Sequence, residues 1–148
     1  MESVEEDVNI EQCKVKDLLP TLFRLQSQRC VTYQRLHDAQ MMFFNTKNFP
    51  AFQNFLSDIT VIFGRISQEI LAIKKRLENQ RLVFKHIEQL QDYEQQKLQI
   101  TNDLFLATVE KKAEQVEGLT EKLNQLIDNI NEVLDELRYD QEEFAEVD

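Results

Sequence analysis

The stretch LTEKLNQLIDNINEVLDEL, Leu119 to Leu137, contains the apolar repeat from which the fold class follows. Its large apolar residues recur at alternating steps of four and three, the heptad spacing of helices that pack side by side. The acidic residues fall on the opposite face, so the segment predicts an amphipathic helix with a solvated back. A repeat of almost three heptads is too short for a dimeric coiled coil to be the expected structure. We therefore predict that this apolar stripe packs on other helices of the same chain: Leu119, Leu123, Leu126, Ile130, Val133 and Leu137.

Three further helical segments precede this stretch, each with apolar residues at a period near 3.6. The first begins just after Asp17 and runs to about Thr46, and its broad apolar face predicts the most buried helix. The third runs from Leu82 to about Lys112. The second starts after Asn48 and has the narrowest apolar stripe, which predicts its core face: Phe52, Phe55, Ile59, Ile62, Phe63, Ile66, Ile70, Ile73 and Leu77.

The helix boundaries are predicted from proline, glycine and capping residues. Asn48 and Pro50 form a cap and a helix start, and Gly118 marks the start of the last segment, with Thr120 as its cap. Near Asn79 nothing forces a break. A compact bundle needs a reversal there, whereas an extended rod would continue straight, and we favour the reversal. The expected fold is all-α, an elongated antiparallel helical bundle or hairpin of about four helices with coiled-coil character.

The net charge of −10 is concentrated at the two ends of the 148-residue chain. Residues 1–13 and residues 140–148 hold five acids each, and the remaining 17 acids match the 17 basic residues. This pattern predicts an acidic N-terminal tail at 1–16, a single helical domain at 17–139 and an acidic C-terminal tail at 140–148, both tails being solvated. A chain without a large positive field is expected to bind DNA directly only weakly or not at all.

The cysteines and the apolar runs indicate the cellular compartment. Cys13 and Cys30 are 17 positions apart and form no CxxC motif, which is typical of free thiols in a reducing compartment. Neither a signal peptide nor an apolar window long enough to span a membrane is evident. We expect a nuclear or cytoplasmic protein.

No residue set specifies catalysis or metal binding. His37 and His86 stand in different segments without companions at metal-ligand spacing, and each is expected to be a lone surface or boundary histidine. Gly64 and Gly118 form no phosphate-binding loop. We expect a non-enzymatic protein without cofactor or metal.

One basic cluster is a candidate contact with a partner. The stretch KKRLENQRLVFK, Lys74 to Lys85, sets five basic residues against the single acid Glu78. If one helix continued through it, part of the cluster would form a stripe suited to phosphate, an acidic lipid head group or an acidic protein tail. If the chain turns, the basic side chains lie in solvent at one end of the bundle. Its residues are Lys74, Lys75, Arg76, Arg81 and Lys85.

A second candidate lies in YEQQKLQIT, Tyr93 to Thr101. Glu94 and Lys97 stand one helical turn apart on the side expected to face inward, where they would form a partly buried ion pair. We favour the other arrangement, an edge position at which both long side chains reach solvent over their apolar stems.

Four stretches resemble the Required for excision 1-B domain proteins, a family of small helical proteins named for a DNA-excision-repair phenotype. The resemblance implies a role in nuclear excision repair and no catalytic motif. We therefore expect a helical protein-interaction module, an accessory factor in repair that acts through protein contacts on its helices. The alternative is a coiled-coil subunit of a cytoplasmic assembly. The stretches are LQSQRCVTYQRL (Leu25 to Leu36), ISQEILAIK (Ile66 to Lys74), YEQQKLQIT and INEVLDELRYDQEE (Ile130 to Glu143).

Overall fold

The computed structural model describes the backbone of residues 9–147 and the side chains of residues 9–144. Residues 1–8, with four of the five acids of the predicted N-terminal tail, and residue 148 lie outside the described residues. Between residues 9 and 147 the chain forms helices and short connections, which confirms the predicted all-α fold. A short 3₁₀ helix at Ile10–Gln12 is followed by α1 (Val15–Thr46), α2 (Phe49–Arg76), α3 (Arg81–Val109) and α4 (Ala113–Val147).

The helices form two compact units, each of them an antiparallel hairpin. One unit ends at Glu78 and contains α1 and α2, and the other covers Asn79–Val147 and contains α3 and α4. A turn at residues 77–79 ends α2, so α2 and α3 are separate helices. The reversal of the chain favoured near Asn79 stays a prediction. The predicted division into a single domain with a tail at each end stays a prediction.

The connection between α1 and α2 is only two residues long. Lys47 adopts the left-handed conformation, with φ of 58°, and its N–H donates to the carbonyl of Phe43 over 2.8 Å. The side chain of Asn48 accepts a hydrogen bond from the N–H of Ala51 over 3.1 Å, and Pro50 occupies the first turn of α2. The predicted cap and helix start are therefore confirmed.

The first hairpin buries the predicted stripe of α2 against α1. The rings of Tyr33 and Phe63 lie 4.8 Å apart between centroids, and those of Phe43 and Phe52 lie 5.4 Å apart. Two members of the stripe depart from the prediction: Ile62 is half-buried and Phe55 is 48% exposed. The fully buried members are Ile66, Ile70 and Ile73, while Phe52, Ile59, Phe63 and Leu77 are nearly so.

The connection between α3 and α4 lies earlier in the chain than predicted. Helix α3 ends in a Schellman motif: the N–H of Lys112 donates to the carbonyl of Ala107 and the N–H of Lys111 to that of Thr108. Lys111 takes the left-handed position, with φ of 60°. The boundary predicted at Gly118 is wrong, because Gly118 lies inside α4 with an ordinary helical backbone.

The predicted cap at Thr120 is wrong for the same reason. Its hydroxyl donates to the carbonyl of Val116 over 2.7 Å, one turn back within the same helix. Further along α4, the heptad stripe is buried from Leu126 to Leu137 as predicted, whereas Leu119 and Leu123 are half-buried. Helix α3 packs against α4 and buries Val83, Ile87 and Leu90.

Candidate functional site

The predicted basic cluster is divided between the end of one helix and the start of another. Lys74, Lys75 and Arg76 form the last turn of α2, where their charges favour the helix C-terminus. Arg81 is the first residue of α3, and Lys85 follows one turn later. A continuous stripe along a single helix does not exist, because α2 ends before α3 begins.

Arg76 is engaged inside the first hairpin. Its Nη1 donates to the carbonyl of Ile10 over 2.7 Å and to that of Cys13 over 2.8 Å, with a longer contact of 3.4 Å to Glu11. These bonds hold the 3₁₀ helix against the end of α2, and the carbonyl of Ile10 also accepts the N–H of Cys13 over 3.3 Å. Arg76 therefore has a structural role, and the exposed Lys75, Arg81 and Lys85 remain the accessible members of the cluster.

The predicted polar pair lies in the middle of α3. Glu94 is buried, so the favoured edge position, in which its side chain reaches solvent, is wrong for Glu94, and Lys97 is half-buried one turn later. The ion pair between them stays a prediction.

A buried pair that the sequence reasoning missed joins the two helices of the second hairpin. Nδ1 of His86 on α3 lies 2.7 Å from Oδ2 of Asp140 on α4, and the two side chains are only 10% and 7% exposed. His86 was predicted to be a surface or boundary histidine and Asp140 a solvated acid of the tail; both predictions are wrong. A signal was present, because one further step of three beyond Leu137 in the heptad pattern reaches Asp140.

A carboxylate on Nδ1 fixes the orientation of an imidazole ring, as it does in many catalytic and metal-binding sites. In residues 9–147 no group of three or more His, Cys, Asp or Glu side chains is arranged to hold a metal ion. The geometry fits a structural contact between α3 and α4.

Each hairpin carries an open groove between its two helices. The groove of the first hairpin has a volume of about 410 Å³, and that of the second has about 480 Å³. Both lie within the range of sites that accept side chains or small ligands. The first is lined by Arg35, Asp38, Met42, Phe55, Asp58 and Ile62, and the second by Leu106, Ala107, Glu110, Gly118, Leu119 and Lys122.

Exposed apolar side chains accompany the first groove. Phe49 and Phe55 are each about half exposed, and Met41 is exposed as well. Of these three, Phe55 lines the groove itself. Phe55 was predicted from the sequence to be a core residue, so a groove at this position was not predicted. Among the helices that the structure describes, none has the length and hydropathy needed to cross a lipid bilayer.

Comparison with known proteins gives one family. The sequence profile of the family described as DNA repair REX1-B matches residues 17–108, which include nearly all of α1, all of α2 and nearly all of α3. The chain is also 26% identical over 90 residues to a Required for excision 1-B domain-containing protein from Bos taurus. That alignment covers 57% of this chain and 50% of the relative, so the chain spans about half the length of the curated relative. No solved structure matches.

The family match supports part of the resemblance found in the sequence. The stretches between Leu25 and Thr101 fall inside the matched residues, whereas the stretch from Ile130 to Glu143 lies beyond them. Helix α4, with Asp140 and the heptad stripe, is therefore outside the part of the chain that the family profile covers.

Proposed function

The chain belongs to the DNA repair REX1-B family, and from this premise we propose that it is a non-enzymatic helical interaction module that serves as an accessory factor in DNA excision repair. The observation that carries the proposal is the family match over residues 17–108. It supports a repair-related role for the first hairpin and for α3. The molecular role proposed within repair rests on the surface of the helices.

Protein contacts are favoured over contacts with DNA by the charge of the chain. A net charge of −10 repels the phosphate backbone, and the 17 basic residues are outnumbered by 27 acids. The two grooves and the exposed phenylalanines provide apolar surface of the kind that binds proteins. In this proposal the module joins other repair proteins and touches DNA weakly or not at all.

The accessible basic residues of α3 would receive an acidic segment of such a partner. Arg81 and Lys85 are exposed one helical turn apart, and opposite charge speeds and orients the association of proteins. We place the protein in the nucleus or the cytoplasm, where the free thiols Cys13 and Cys30 stay reduced.

The test is a repair assay in cells that lack the protein. We expect slower removal of ultraviolet photoproducts, restored by the wild-type chain. Tagged wild-type protein should also enrich excision-repair or chromatin proteins after ultraviolet irradiation. Normal removal of photoproducts, together with a stable set of cytoplasmic coiled-coil partners, would refute the proposal and favour a subunit of a cytoplasmic assembly.

Two double variants test whether the partner contact can be lost while the fold is retained. Arg81→Glu combined with Lys85→Glu reverses two exposed charges on α3 and should keep the helical content while weakening partner enrichment. Lys111→Glu with Lys112→Glu is the matched control, because it reverses two exposed charges at the other end of the same hairpin. A salt-dependent, tight interaction of the purified protein with duplex DNA would contradict the protein-contact mechanism.

A further inference from the structure

We draw no further inference here: the strongest candidate, the apolar groove between α1 and α2 beside the exposed Phe55, carries nothing, because its lining sets the carboxylates of Asp38 and Asp58 against Arg35 and nothing in the structure shows what covers it.

Discussion

His86 and Asp140 join the first turns of α3 to the last turns of α4 through a 2.7 Å contact between Nδ1 and Oδ2, 54 positions apart in the sequence. The turn at Lys111 connects α3 and α4 at one end of the second hairpin, and the pair lies towards the other end. At that end only side chains hold the two helices together. Both side chains are buried, so each depends on the other for a polar partner.

Removal of the histidine should therefore destabilise the second hairpin. His86→Ala leaves the Asp140 carboxylate buried without its imidazole, and we expect a loss of about 3 kcal/mol in the free energy of unfolding. Asp140→Asn keeps a polar group of the same size and should cost about 1 kcal/mol. Urea denaturation measures both. The control is Glu136→Ala, an exposed acid one turn earlier on α4, which should change stability little. Equal stability of His86→Ala and the wild type would show that the contact contributes nothing.

Arg76 should control access to Cys13. Loss of its guanidinium in Arg76→Ala frees the carbonyls of Ile10 and Cys13, so the 3₁₀ helix should open more often. We expect Cys13 to be alkylated by N-ethylmaleimide faster by up to about tenfold, in line with the loss of two charge-assisted hydrogen bonds. Mass spectrometry of the modified peptides measures the rate. Cys30 is exposed in α1 and provides the internal control, since its rate should not change. Faster alkylation of both cysteines would indicate unfolding of the hairpin instead.

Gly118→Ala should stabilise the protein. An added Cβ at Gly118 meets no atom within 4 Å, and the residue lies inside α4 with an ordinary helical φ. We expect a gain of about 0.5–1 kcal/mol in the free energy of unfolding, measured by urea denaturation. Thr120→Ala tests whether Thr120 lies inside α4, as in the structure, or caps the start of a helix, as predicted from the sequence. A cap at Thr120 would make the substitution cost about 1 kcal/mol, whereas an interior position makes it neutral or stabilising.

Ile130→Asp should unfold the second hairpin. Ile130 is buried in the heptad stripe of α4, and a carboxylate there has no polar partner, so we expect a loss of more than about 3 kcal/mol. Circular dichroism and thermal melting measure the change. Ile127→Asp is the matched control on the same helix, since Ile127 is exposed and should tolerate the charge far better. Retained helicity and an unchanged melting temperature in Ile130→Asp would show that the stripe is not a packing surface.

The helices and most of their buried faces could be predicted because many residues contribute to each period. A stripe such as Ile59, Ile66, Ile70 and Ile73 repeats the same signal over several turns, and one misleading residue does not cancel it. The exposure of Phe55 escaped this reasoning, because periodicity gives the direction of a side chain and says nothing about how far the neighbouring helix reaches.

Predictions that rested on a single residue were less reliable. The last helix boundary was placed at Gly118, but the chain turns at Lys111, which accepts a left-handed backbone at a modest energetic cost. Asp140 was grouped with the terminal acids by composition, although its place in the heptad pattern pointed to the core. Its partner His86 could not be identified, because the pairing depends on the register between two helices. Arg76 was likewise counted as a free charge, since a sequence does not show which carbonyls lie near it.

The division into two hairpins has a consequence for how the chain acquires its structure during translation. Every contact between α1 and α2 joins residues of one continuous segment, Val15–Arg76, so the first hairpin can form as soon as that segment has left the ribosome. Synthesis of the 35 residues of α4 takes on the order of seconds, whereas helical hairpins with local contacts fold in milliseconds or less. The apolar stripe of α2 is then covered by α1 while the nascent chain is still attached to the ribosome. This order of events limits the time in which that stripe is open to aggregation.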